Sequence, residues 1–443
     1  MEFKGRFHLT AFQIIILGFL GLILTGALLL MLPISTKGPG GASFLDALFT
    51  ATSAACVTGL VVRDTAVYWS LFGKCVILIL IQIGGMGIIT VYIAAAAIFE
   101  RKIGLKQRAV MQESVSAAHI GGIVKFTYFI AKTVLICEGL GALFLYPTFM
   151  GEYGPIKGIG YAVFHSVSAF CNAGFDLMGE KGQFSSLTWY SGSIPVNLTI
   201  IMLILVGGLG FGTIEDIKRN KLNFKKYRLQ TKLILTTTAV LLTVPFIYFF
   251  FFEFGAHPLK ERILLSAFQT VTPRTAGFNT ADFSQISGGG IMVTIILMLI
   301  GGATGSTAGG IKVTTISVLA VSAFSVFVRR RDASAFNRRI AVEIIYSAAA
   351  VFFIYLILFV FSALIISKAD GLPIGSCLFE SASAIATVGL TLGITAKLGL
   401  LSRLIIMFLM FFGRVGGLTL IFAAVAKPDV TNVKLPLEPV GVG

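Results

Sequence analysis

Val57-Thr58-Gly59-Leu60, Asn172-Ala173-Gly174-Phe175, Thr275-Ala276-Gly277-Phe278 and Thr387-Val388-Gly389-Leu390 are four occurrences of one short pattern. Their glycines stand 115, 103 and 112 residues apart, each close to a quarter of the chain, which marks an internal repeat. Each pattern follows a short apolar segment, at 44–55, 159–170, 263–271 and 374–386. A dozen helical residues reach ~18 Å against a hydrocarbon core of ~30 Å, so these segments read as re-entrant or interfacial.

Longer apolar runs flank them. Uncharged stretches at 11–32, 75–99, 194–214, 233–252 and 344–367 each approach the ~20 residues of a crossing helix. Three more are interrupted: 133–150 carries Glu138, 291–328 is broken by glycines and Lys312, and 404–426 carries Arg414. The sequence therefore predicts an all-α integral membrane protein with eight transmembrane helices. They form four tandem helix, pore-loop, helix repeats around a pseudo-four-fold central pore: 10–108, 122–222, 229–330 and 340–427, with a short tail at 428–443. Glycine pairs in the second span of each repeat, Gly84-Gly85, Gly207-Gly208, Gly301-Gly302 and the relic Gly413-Arg414, keep the same register with one insertion.

Composition agrees. The 443 residues are 56% hydrophobic and 12% charged, half the charge that a water-facing surface needs, which excludes a water-soluble enzyme. The net charge of +15 raises nucleic-acid binding, but position decides against it. Of 35 Lys and Arg, 20 fall in the N-terminal tail, the loops 100–108, 218–232 and 329–339, and the C-terminal tail, whereas 11 fall on the other side. That bias marks a cytoplasmic face, with both termini on it, in a multi-pass protein of the plasma membrane. Five scattered cysteines and four isolated histidines support neither a disulfide framework nor a zinc site.

Non-helical backbone at membrane depth is tolerated only where protein buries it or water bathes it. Four such loops around an axis can turn carbonyl oxygens inward to replace the hydration shell of a monovalent cation, with glycine supplying the backbone freedom. The negative ends of the short helices point the same way.

In these features the chain resembles the Trk/Ktr/HKT superfamily of potassium transporters, most of all its Ktr-type membrane subunit. The resemblance implies that Val57, Thr58, Gly59, Asn172, Ala173, Gly174, Thr275, Ala276, Gly277, Thr387, Val388 and Gly389 form a potassium-selective filter, glycine in all four loops going with potassium. It implies an intramembrane gate in Gly301-Gly302-Ala303-Thr304-Gly305-Ser306-Thr307-Ala308-Gly309-Gly310, with Lys312 and Arg414 beside it. It further implies potassium uptake with sodium as a coupling or activating ion, no covalent cofactor, a homodimer in membrane lipid, and a separate cytoplasmic ring of nucleotide-binding subunits. The runner-up is a secondary cation symporter with alternating access around a midplane site, against which the parallel sense of the repeats argues.

Plainer readings stand beside these. Glycine often ends a helix, but four in register ask for more. Five glycines in 301–310 exceed what a stable helix bears, so a break is expected over close helix packing. Gly305 to Gly310 misses a nucleotide-binding P-loop, because Ile311-Lys312-Val313 follows. Arg414 either snorkels or restrains flux by bonding the loop carbonyls. Glu138 reads as the partner of Lys132 or of a neighbouring helix, with a coupling-ion ligand as the lesser reading, Asp46 and Glu380 as caps or cation attractors, and Cys56 and Cys171 as small packing residues.

Overall fold

The computed structural model describes residues 10–87, 90, 122–221, 223–417, 419–420, 436 and 438. The basic loop 100–108 and nearly all of the C-terminal tail lie outside them. The described chain is helical except for a small hairpin, in which β1 (Ser334–Ala335) pairs antiparallel with β2 (Arg338–Arg339).

Four long helices stand at the starts of the four predicted repeats: α1 (Ala11–Met31), α4 (Ile123–Tyr153), α8 (Leu229–Tyr248, extended by a π turn to Glu253) and α12 (Val342–Asp370). Each is long and apolar enough to cross a bilayer. They leave Leu28, Leu135, Val240 and Phe353 more than half exposed, as expected for a surface that meets lipid tails instead of water.

The short apolar segments form α2 (Phe44–Ala55), α5 (Pro155–Phe170), α9 (Leu259–Val271) and α13 (Ile374–Ile385). Their starts are written in the sequence. The Ser43 hydroxyl caps α2 by accepting from the Asp46 N–H, Pro155 sits in the first turn of α5, and Pro258 and Pro373 precede the other two. One phenylalanine per helix, Phe49, Phe164, Phe268 and Phe379, anchors it in the core with 3% exposure or less.

The second span of each repeat departs from expectation. The runs at 75–99, 194–214, 291–328 and 404–426 are not continuous helices: they give α3 (Leu71–Met86), α6 (Ile194–Gly208) with α7 (Phe211–Asn220), α10 (Gly288–Leu299) with α11 (Val313–Phe327), and α14 (Leu400–Val415). Three residues beyond the first glycine of each pair, Gly87, Gly210 and Gly416 take φ of +83°, +84° and +93°. That left-handed backbone ends a helix and suits only glycine. The run 194–214, which carries no charge to interrupt it, is bent by 94° at this point. In the third repeat the loop 300–312 replaces the turn.

Candidate functional site

The short helices deliver the glycine loops. At the end of three of them the same local bond recurs: the N–H groups of Thr58, Ala173 and Val388 donate to the carbonyls of Ser53, Ser168 and Ser383 at 2.7–2.8 Å. Side-chain hydroxyls then brace the loop beyond. Gly59 and Gly389 N–H donate to Ser53 and Ser383 Oγ at 3.1 and 3.0 Å, while Ser168 Oγ and Thr272 Oγ1 donate to the carbonyls of Phe175 and Phe278. These four hydroxyl residues escaped the sequence reading. Their signal was present, a Ser six residues before three of the glycines and a Thr five before the fourth.

The backbone is kinked alike in all four loops. Val57, Asn172, Thr275 and Thr387, each two residues before its glycine, have φ between +52° and +71°, and the glycines follow with +67° to +95°. Three of the four non-glycine residues are β-branched, for which this region is a genuine outlier. Strain in register is held by surrounding structure and belongs to functional sites.

The loops meet one another in cyclic order. A Cβ built on Gly59 would lie 2.5 Å from the Ala173 carbonyl oxygen, and one on Gly174 would lie 2.8 Å from that of Ala276. Gly277 in turn abuts the Val388 carbonyl oxygen, and Gly389 that of Thr58. First, second, third and fourth loops therefore close into a ring, with no room for any side chain at the glycines. Thr58 Oγ1, Asn172 Oδ1 and Thr387 Oγ1 are buried around it without a hydrogen-bond partner, and Asn172 Nδ2 donates to Thr275 Oγ1 at 3.4 Å. On one side all four glycines line a single cavity of about 670 Å³, together with Asp64, Asp176 and Asp282 against Lys397. Burial, the 64 carboxylate second, pushes the Asp176 carboxyl up to about 7.

Below the ring, the first glycine of three of the pairs seats on a short-helix end, Gly84 against the Ala55 carbonyl, Gly207 against Phe170 and Gly413 against Ile385, while Gly301 abuts the Gly309 carbonyl of its own loop. The loop 301–310 fills the space between repeats. Gly301 N–H donates to the Ile311 carbonyl at 2.9 Å, Ala303 N–H to Gly208 at 2.9 Å, Thr307 N–H to Gly207 at 3.2 Å, and Phe211 N–H to Gly305 at 2.9 Å. Thr307 Oγ1 donates to the Phe170 carbonyl at 3.1 Å, and Gly309 and Gly310 press on Thr387 and Ala386. The loop packs against the break after α6: a Cβ on Gly210, whose φ is +84°, would stand 2.7 Å from the Thr304 carbonyl oxygen. Ser306 Oγ donates to the Ala303 carbonyl, and the Thr304 and Thr314 hydroxyls share a bond of 2.7 Å.

Both basic residues turn inward. Arg414 donates to the Thr307 carbonyl, and its Nη2 donates to the Gly84 and Gly85 carbonyls at 2.5 and 3.0 Å. Lys312 Nζ donates to the Ala308 carbonyl of the same loop at 2.6 Å. Elsewhere the structure corrects the sequence reading. Glu138 pairs with no lysine: it accepts from Gln82 Nε2 at 3.2 Å and from Cys171 Sγ at 3.7 Å, so this cysteine does more than fill space. Asp46 is no cap, since Arg63 and Arg403 hold its carboxylate at 2.9 and 3.0 Å. Glu380 accepts from the Thr391 and Thr395 hydroxyls instead of facing the mouth alone.

The profile of the cation transport protein family TrkH matches residues 7–434. The chain belongs to the TrkH family. It is 38% identical to the potassium/sodium uptake protein NtpJ of Enterococcus hirae, over 100% of this chain and 99% of that protein. It is 39% identical to the Ktr system potassium uptake protein B of Bacillus subtilis, over 96% and 95%. The fold matches the crystal structure of the potassium transporter TrkH from Vibrio parahaemolyticus with a TM-score of 0.76, covering 96% of this chain and 87% of that one at 19% identity. As a member of the TrkH family the protein is a multi-pass membrane transporter of cations and not an enzyme.

Proposed function

We propose that this TrkH-family protein takes up potassium through a pore on the axis of the four glycine loops, and that the loop 301–310 gates it. The observation that supports the reading is the cyclic closure of the glycines, in which the carbonyl oxygens of Ala173, Ala276, Val388 and Thr58 each abut the glycine of an adjacent loop. Such oxygens substitute for the water shell of an alkali ion. The three carboxylates of the cavity above raise local cation concentration. Each loop offers one short segment, fewer stacked rings than a long channel filter, so discrimination between potassium and sodium is moderate. One relative is named for potassium uptake and another for potassium/sodium uptake, which accords with that expectation.

Arg414 restrains passage in two ways. It bonds loop 301–310 to Gly84 and Gly85, and its fixed positive charge raises the barrier to a passing cation. Opening requires the loop to leave these carbonyls. Control by nucleotide comes from a separate cytoplasmic ring, and the membrane subunit pairs as a homodimer. The basic loops 218–232 and 329–339 suit docking of that ring because they form one surface: Phe224 and Phe336 meet edge to face at 5.8 Å, and Lys232 Nζ lies 5.8 Å from both rings. Rescue of a potassium-starved strain, followed by flux of potassium, rubidium and sodium into proteoliposomes, tests the reading. Absence of rescue together with absence of potassium flux refutes it.

A further inference from the structure

Arg274 directly precedes the third glycine loop, and by sequence it counts among the outer charges. The structure buries it instead, with 6% exposed. Among the described residues its side chain makes one hydrogen bond, from Nη2 to Thr238 Oγ1 of α8 at 3.4 Å, and Nη1 has no partner. The amide of Gln269, five residues earlier, is buried with both its atoms unpaired. A guanidinium does not lose its proton in a protein, and a buried one is tolerated only when hydrogen bonds surround it.

A small cavity of about 10 Å³ adjoins it, lined by Arg274, Thr238, Leu205, Gly208, Leu209 and Gly302. That is room for about one water molecule. Gly208 and Leu209 stand at the break that ends α6, and Gly302 belongs to the loop 301–310. The last carbonyls of a helix carry the negative end of its dipole, which favours a cation within reach. Three of them already accept bonds, Val206 from Leu209, Gly207 from Thr307 and Gly208 from Ala303, so two hold the loop directly.

We propose that Arg274 is a positioning residue, a second basic tether of loop 301–310. Through water in this cavity its guanidinium holds the broken end of α6 against Gly302, and so ties the gate to the third glycine loop. Arg414 secures the loop toward the fourth and first repeats; Arg274 secures it toward the second and third. The inference rests on the gating role given to the loop above.

Full-length R274Q, R274K, T238V, R414Q and the R274Q/R414Q pair are reconstituted, and potassium and sodium fluxes are normalised to folded protein by size exclusion. R274Q is expected to raise potassium flux at least threefold while the potassium-to-sodium ratio stays within twofold. R274K, which keeps the charge, stays within twofold of the parent, and the double variant rises by less than the product of the single effects, since both release one loop. The inference is overturned if R414Q raises flux while R274Q does not, if R274K behaves like R274Q, if the two effects multiply, or if R274Q shifts the ion ratio. Should R274Q fail to fold, T238V decides: a rise supports the tether and an unchanged flux overturns it. A wild-type protein without potassium flux, or an R414Q variant without a rise, fails the gating reading itself.

Discussion

Replacing Gly59 by alanine adds one carbon where two loops of the ring already touch. The residue has φ +94°, where an L side chain costs roughly 1–2 kcal/mol. The new Cβ would stand 2.5 Å from the Ala173 carbonyl oxygen, and ordinary contact begins at 3.4 Å, so that oxygen must retreat by about 0.9 Å. Forcing extra carbon into a packed interior costs about 1–3 kcal/mol more. Of the resulting ~2–5 kcal/mol, even half expressed in the transport barrier slows flux by roughly 5-fold to 70-fold, at ~1.4 kcal/mol per decade. The assay is rubidium uptake into proteoliposomes, normalised to folded protein, with Gly375→Ala as the control. Gly375 lies in α13 with nothing within 4 Å of a built Cβ, so that variant keeps full flux. A G59A protein that folds and transports within twofold of the parent refutes the claim that the second loop seals against this glycine.

Arg414→Gln removes the charge from a site where three carbonyls receive it, and potassium flux should rise several-fold with the potassium-to-sodium ratio unchanged; unaltered flux in the folded variant counts against the restraint. Asp176, raised to about 7 from an ordinary carboxyl value of ~4, binds its proton more tightly folded than unfolded, so its contribution to stability is present below pH ~4 and is lost as pH rises through 7. Over that window D176N should flatten the pH dependence of the melting temperature, and wild-type potassium affinity should improve from pH 6 to 8 as the cavity gains a charge; a D176N profile parallel to the parent's contradicts this. Glu138→Ala leaves Gln82 and Cys171 without their acceptor and opens a void in α4, a loss of roughly 2–4 kcal/mol, whereas E138Q retains most of it. Equal thermal shifts for the two variants would show that the carboxyl oxygens do not matter.

Much of the architecture was legible because length and hydropathy are strong signals in a bilayer. The long opening helices and the four short ones emerge near their sequence boundaries, except that α4 begins ten residues before the expected 133, and the glycine register locates the loops. What stayed hidden depends on neighbours distant in sequence. The run 194–214 carries no charge to announce its bend, its one proline, Pro195, stands at the helix start, and the 301–310 loop that packs against the bend lies a hundred residues away. The Gly-Gly-x-Gly spacing at 84–87 and 207–210 did carry the signal, read too narrowly as pairs. The sequence left Glu138 to Lys132 on its own helix or to a neighbouring helix, and its partners, Gln82 on α3 and Cys171 at the end of α5, are of the second kind. Arg274 was assigned by its nearness to an outer loop, although its chain segment dips inward before the glycine.

Arg414 also explains an advantage of encoding all four quadrants in one gene. Four identical subunits would each bring the same arginine to the centre, crowding four guanidinium groups where the lone one now finds three oxygen acceptors. Duplication within a polypeptide frees three quadrants to keep small residues, Gly85, Gly208 and Gly302, at the equivalent place. Likeness among the quadrants is thus kept at the ring and given up at the glycine pairs, where one quadrant alone contributes a charged side chain.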